Sequence, residues 1–442
     1  MGRSGFHGAW LLGVVTVGVM AFGGSSASAG TVTYGVVPQD GAVPSREDVE
    51  LMASGGIDQI RLILHWPTVE STPGHYDWSS VDAMVRETSN YGVEPFFFIY
   101  GTPNWAATID GHKHCDRRDC AIYAPTSPKT RKAYAAFAKA AVQRYGPGGD
   151  FWEVPSAKAA PSRPLRAAFP ASTSERLIPC LPIPLPGCEP TPPPNPPPPP
   201  GTPPPPPDPP PTPPPPPDSP PPPPDQPPCG CTEAHPIHDW QLWNEQNSPK
   251  YFAPKEDIEA YAKLVKAAGT AIHEADPHSD VILGGAWGPA SASKVVLPIQ
   301  PYLKALYSFK GIKKAFDSIA LHPYAANTGA SLDQLKVARQ VVKKEGDRKV
   351  GTWITEIGWA ADGPKSNPYV KGLDGQAKLL RKTLQKFEQN KAGFHLKGLF
   401  WYSWRDKAGG DLICEWCGYA GLRALDGSAK PSWDAFSAIA KG

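Results

Sequence analysis

The sequence predicts a single closed (β/α)8 barrel of the α/β class, interrupted by a proline-rich insertion between its third helix and fourth strand. Two observations carry this. Short apolar strands alternate with helical segments along most of the chain, giving three strand–helix units before a proline-dominated stretch and five after it. Neither three nor five parallel strands can close a barrel, whereas eight can, so the proline stretch interrupts one domain instead of joining two. An open doubly wound sheet is the alternative architecture for the same alternation.

The first strand is expected over residues 31–37, followed by a helix from Ser45 in which Asp48 completes a capping-box pattern. The second strand spans 57–64, and its helix runs over 79–91 and ends before Gly92. The third, 93–100, is almost wholly apolar, as a strand covered on both faces should be. Its helix, 129–145, stops at Gly146-Pro147. After the insertion come strands over 239–243, 281–285, 316–321, 349–354 and 396–402. Their helices are expected over 255–274, between 291 and 309, and over 332–344, 375–389 and 433–440.

The chain divides into a signal peptide (1–29), barrel units one to three (30–153), the insertion (154–233) and units four to eight (234–442). Arg3 precedes an apolar run from Ala9 to Gly23, and Ala27-Ser28-Ala29 fits a small-x-small cleavage site before Gly30. That run is shorter than the roughly 20 residues of a spanning helix. Export and release are therefore expected, with no membrane span after cleavage and an extracellular or cell-wall location. Charge nearly cancels at +2 without a basic stripe, which argues against nucleic acid as a partner.

From Glu189 to Pro228 the chain is mostly proline, which has no amide donor and a fixed φ. A spacer or a cell-wall attachment is one role for it; an unselected solvated loop is the other. A connection from a helix to the next strand lies on the face opposite a barrel's active site. The insertion is therefore expected to be dispensable for chemistry. Joining Val154 to Ala234 through a short Gly/Ser link should leave turnover of a small substrate within a few fold, and a large loss in a folded variant would refute this placement.

Active sites in this architecture sit at the C-terminal ends of strands. The fourth strand leads into Trp243-Asn244-Glu245 and the seventh into Thr355-Glu356, on opposite sides of the ring. Two facing carboxyl groups are what glycosidic cleavage needs: one protonated to donate to the leaving oxygen, the other ionised to attack or to activate water. At about 5 Å and an effective dielectric near 20, their repulsion is roughly 3 kcal/mol, enough to hold one proton on the pair. Arg61, near the end of the second strand, would favour ionisation of Glu356.

Asn244-Glu245 after an aromatic strand, with Glu356 in Thr-Glu-Ile-Gly-Trp, resembles the retaining glycosidases of clan A, most closely glycoside hydrolase family 39 and its family 5-like relatives. The resemblance covers the chain from about Tyr34 to Trp404 without the insertion. It implies Glu245 as acid/base and Glu356 as nucleophile, with Asn244 on the sugar 2-hydroxyl and Arg61 holding the nucleophile. It also places His322 and Tyr324 near the nucleophile and the −1 sugar. Gln246 stands where the family motif has proline, and the chain ends too soon after strand eight for the β-sandwich of many family 39 xylosidases. The implied partner is a carbohydrate, with no cofactor and no metal, and a non-catalytic carbohydrate-binding barrel is the alternative function.

Trp66, Trp105, Trp401, Tyr402 and Trp404 are candidates for stacking on sugar faces, with Trp404 preferred on strand eight. His65 is a weaker candidate. The eight cysteines fall in local pairs, and in an exported chain these read as disulfides, Cys115–Cys120 and Cys414–Cys417 being the simplest. Cys180 and Cys188 pair either with each other or with Cys229 and Cys231. Zinc held by Cys115, Cys120, Cys414 and Cys417, with His112 and His114 nearby, is the rival reading. Asp406, Asp411 and Glu415 form an acidic cluster with calcium as a further option.

Overall fold

The computed structural model describes residues 31–38, 44–112, 120–152, 234–288, 296–408 and 414–442. The expected signal peptide and the insertion lie outside the described residues. Eight parallel strands close on themselves in chain order: β1 (Thr33–Val37), β2 (Gln59–His65), β3 (Glu94–Tyr100), β4 (Asp239–Leu242), β5 (Asp280–Trp287), β6 (Ser318–His322), β7 (Gly351–Ile357) and β8 (Leu396–Tyr402). The closing ladder pairs Thr33 with Gly398 and Val37 with Tyr402. The fold is thus a (β/α)8 TIM barrel, and β3 pairs directly with β4 across the insertion point.

Helices start where a side chain can accept from the free amides of the first turn. Ser45 Oγ accepts from the Asp48 amide to open Arg46–Ser54, as the capping pattern predicts. Ser127 caps Pro128–Tyr145, Asp257 caps Ile258–Ala275 and Asn327 caps Thr328–Lys344 in the same way. These caps explain two shifts from expectation. The fourth helix begins after Asp257, not at 255, and the sixth begins at Thr328, one turn before 332. The remaining helices of the ring are Ser79–Ser89, Ile299–Tyr307, Leu373–Gln389 and Pro431–Ala440.

Alternation along the strands fills the barrel in layers. The middle layer is apolar: Val37, Phe96, Ile282, Ala320, Trp353 and Phe400 pack together, all buried. Gly35 admits the Phe400 ring, since a Cβ there would lie 2.3 Å from it. Below, at the N-terminal end, Gln59, Asp239, Asp280 and Ser318 form a polar floor. Gln59 Nε2 donates to Asp239 at 2.9 Å, while Asp280 accepts from Ser318 Oγ at 2.8 Å, Trp353 Nε1 at 2.9 Å and Lys397 Nζ at 2.8 Å. Above the apolar layer, toward the C-terminal ends of the strands, lies a second polar layer.

Among the described residues no helix is long and apolar enough to cross a membrane.

Candidate active site

Arg61 organises the upper layer. Its guanidinium is fully buried under Phe98, with Cζ 4.1 Å from the ring centroid. Nε donates to Gln241 Oε1 at 2.8 Å, Nη1 to Glu356 Oε1 at 2.6 Å and Nη2 to Asn244 Oδ1 at 2.8 Å. Burial lowers its pKa and Glu356 raises it, but a guanidinium starts so high that it stays charged.

The chain leaves β4 through an unusual turn. Trp243 (φ 74°) and Glu245 (φ 42°) both adopt left-handed backbone without being glycine. Such residues cost about 1–3 kcal/mol each and persist only where their surroundings over-determine them. Here the Trp243 indole is buried beside Tyr100 and Phe252, at 4.8 and 5.5 Å, and donates to the Tyr251 carbonyl at 2.6 Å. The Glu245 amide donates to the Gly285 carbonyl at 3.2 Å, and its carbonyl accepts from the Ser248 amide at 2.9 Å.

On the far side, the β7–β8 register shifts between Ile354 and Ile357. A bulge re-aims side chains, and here consecutive residues both reach the cluster: Thr355 contacts His322 and Gln241, and Glu356 contacts Arg61 and Tyr324. Tyr324 donates its hydroxyl to Glu356 Oε2 at 2.9 Å, while His322 Nδ1 lies 2.8 Å from Glu245 Oε1. An oxygen of Glu245, an oxygen of Glu356 and a nitrogen of His322 all lie within 4.8 Å of one another.

The two carboxyl groups differ in their surroundings. Glu356 takes two strong donors, one charged. Burial pushes its pKa up, and Arg61 and Tyr324 pull it back. Glu245 has one neutral neighbour in hydrogen-bond contact, and burial together with the charge of Glu356 pushes it well above the usual carboxylate range. The shared proton therefore resides on Glu245 and the charge on Glu356. Burial and the Arg61 charge hold His322 well below its ordinary pKa, hence neutral. Glu245, His322 and Glu356 are close enough to share a cation, but the buried charge of Arg61 opposes one.

Six of the seven expected site residues therefore meet: Arg61, Asn244, Glu245, His322, Tyr324 and Glu356. Trp404 does not join them. Its ring is buried edge-to-face against Trp433 at 5.3 Å. The inward frame on β8 is Phe400 and Tyr402, and Tyr402 is the aromatic beside Tyr324, at 6.4 Å. Trp66 and Trp401 are core residues, and Trp105 donates to the Glu70 carbonyl at 2.9 Å. His65 Nδ1 pairs with the Thr68 hydroxyl at 2.7 Å. Asp406 is bound by Lys430 at 2.6 Å; Asp411 lies outside the described residues.

Two members of the cluster were not anticipated, Gln241 and Thr355. Gln241, four residues before Glu245, shares its strand phase, and that was the available signal; Thr355 alternates away from Glu356 by phase, and the register shift brings both in.

Cys414 and Cys417 are disulfide-bonded, with Cα atoms 5.3 Å apart. Between them Trp416 packs 5.4 Å from Tyr324 and stacks on Tyr369 at 4.9 Å, so this small loop backs a ligand of Glu356. Cys120 is also disulfide-bonded; Cys115, its expected partner, lies outside the described residues, as do His114, Cys180, Cys188, Cys229 and Cys231.

No family model matches the sequence, and no curated protein does. The fold, however, matches family 39 and family 5 glycoside hydrolases over most of the chain at low sequence identity. A family 39 glycoside hydrolase from the gut symbiont Bacteroides cellulosilyticus WH2 superposes with TM-score 0.56 at 17% identity, covering 92% of this chain and 63% of that one. A GH5_18 protein from Streptomyces cattleya, solved with Manb1-4GlcNAc, gives 0.54 at 12%, covering 93% and 80%. A monomeric beta-xylosidase from Caulobacter crescentus CB15 gives 0.52 at 15%, covering 92% and 67%. The chain thus spans somewhat under two thirds of the length of the first of these.

Proposed function

We propose that this chain is a secreted retaining glycoside hydrolase that cleaves O-glycosidic bonds of an oligo- or polysaccharide by double displacement, without a cofactor. The observation that carries this reading is the unequal hydrogen bonding of two carboxyl groups whose oxygens approach within 4.8 Å. Retaining pairs stand about 5–5.5 Å apart, carboxyl group to carboxyl group, and this close approach of single oxygens supports that spacing over the wider inverting one.

Glu356, held ionised by Arg61 and Tyr324, attacks the anomeric carbon. Glu245 gives its proton to the leaving oxygen as that bond breaks. In the second step Glu245, now a carboxylate, takes a proton from water as the water oxygen displaces Glu356 from the sugar. Because Asn244 Oδ1 is committed to Arg61, its amide NH2 is left to donate to a sugar hydroxyl. The N-terminal sequence supports export. The proline-rich segment supports a cell-wall attachment.

The test is turnover of a panel of aryl glycosides and polysaccharides, followed by proton NMR of the anomer formed first. Retained configuration is expected. An inverted product would make Glu356 a base. Saturable sugar binding without turnover by any substrate would favour the non-catalytic reading.

A further inference from the structure

The upper layer contains a chain of hydrogen bonds whose directions can be assigned from chemistry alone. Arg61 Nε can only donate, so the Gln241 oxygen must face it at 2.8 Å. The Gln241 NH2 group then points away and donates to the Leu283 carbonyl and to Thr355 Oγ1, each at 3.2 Å. Thr355 is fully buried and accepts from Gln241, so its own hydroxyl proton needs an acceptor. Among the described residues that acceptor is His322 Nε2, at 3.1 Å. The neutral imidazole then carries its proton on Nδ1, which donates to Glu245 Oε1 at 2.8 Å.

The pocket enforces this arrangement. A Cβ at position 285 would fall 2.0 Å from His322 Nε2 and 2.7 Å from Thr355 Oγ1, so the ring edge rests against glycine backbone. His322 has no exposed surface through which water could replace the threonine.

We propose that Thr355, oriented by Gln241, is a positioning residue that fixes the proton of His322 on Nδ1 and thereby confines the acid proton of Glu245 to Oε2. Oε1 faces an N–H donor and cannot hold a proton in the same direction. Oε2 is left for the leaving group. When Glu245 gives up its proton, the Nδ1–H bond remains to stabilise the carboxylate, and no proton moves along the chain. The catalytic consequence rests on the reading of Glu245 as the acid; the tautomer itself does not.

The experiment therefore has two readouts. In protein labelled with 15N-histidine, long-range 1H–15N correlation identifies the protonated ring nitrogen, with His322 assigned by comparison with His322→Gln. The wild type should carry the proton on Nδ1, which also faces the Glu356 carboxylate at 3.5 Å. Thr355→Val is nearly isosteric and should populate both tautomers, whereas Thr355→Ser should restore the wild-type signal. In kinetics, Thr355→Val should lower turnover of glycosides with poor leaving groups by about 10-fold, with less than a twofold effect on dinitrophenyl glycosides, which need little acid assistance. Its alkaline pH limb should also move. A wild-type proton on Nε2, or a Thr355→Val protein with the pure Nδ1 tautomer, would overturn the proposal. So would equal loss on all leaving groups. A wild type inactive on every glycoside would instead defeat the glycosidase reading and leave the NMR result to decide the tautomer.

Discussion

Glu356→Gln is expected to lower turnover by about 10⁴-fold or more on every glycoside, because no substrate escapes the need for a nucleophile. Glu245→Ala should behave differently. A dinitrophenyl leaving group departs without a proton, so formation of the glycosyl–enzyme should continue at a useful rate. The second step lacks its base and becomes limiting. Azide, which needs no deprotonation, should enter the space left by the carboxyl group and release a glycosyl azide of retained configuration. Mass spectrometry and NMR of that product check the assignment. Equal loss in both variants, with no azide product, would contradict the roles derived from their hydrogen bonds. The wild-type pH profile should be bell-shaped. Its acid limb follows protonation of Glu356, and its alkaline limb follows loss of the Glu245 proton, pushed high by burial and by Glu356.

Asp239→Asn is expected to stabilise the barrel at neutral and alkaline pH. Asp239 lies half-buried in the floor opposite Asp280 in register, with Gln59 as its donor and Lys397 and Glu94 the other charges facing it. Burial and the Asp280 charge raise its pKa from the usual 3.8 to about 7. The folded chain therefore holds a proton that the unfolded chain releases. That contribution is fully present below about pH 4, declines as pH rises and is gone above about pH 7. The displacement sets a ceiling of roughly 4 kcal/mol, which the partial exposure of Asp239 and its coupling to Asp280 reduce. Urea unfolding of both proteins at pH 4.5 and pH 8 should show the variant gaining over the wild type with rising pH, by up to a few kcal/mol. A constant difference between the two would mean that Asp239 is ionised throughout.

Much of this was legible in the sequence because a barrel repeats one simple unit. The apolar run at 93–100 and the stops at Gly92 and Gly146-Pro147 mark elements by local rules. The eightfold count then leaves few ways to place Glu245 and Glu356 except across the mouth from each other. Helix starts were less legible where an Asp or Asn cap outweighed helix-like composition, as at Asp257 and Asn327. The β8 error has a different origin. Trp401, Tyr402 and Trp404 surround a single strand end, and composition cannot say which phase faces inward. The register of Val37 against Tyr402 decides it. Gln241 and Thr355 escaped notice because their part lies in the direction of hydrogen bonds, which exists only once Arg61 and His322 are placed.

The left-handed backbone at Trp243 and Glu245 bears on how such a protein can change. A screen for thermal tolerance rewards relaxed backbone, and a glycine at 245 would relax it while removing a buried carboxyl group. The same exchange ends the proposed chemistry. Selection for heat resistance and selection for turnover thus pull in opposite directions at the residue after Asn244. A lineage under both pressures should gain its resistance elsewhere, in the helix caps, the outer ring and the barrel floor, and leave this turn as it is.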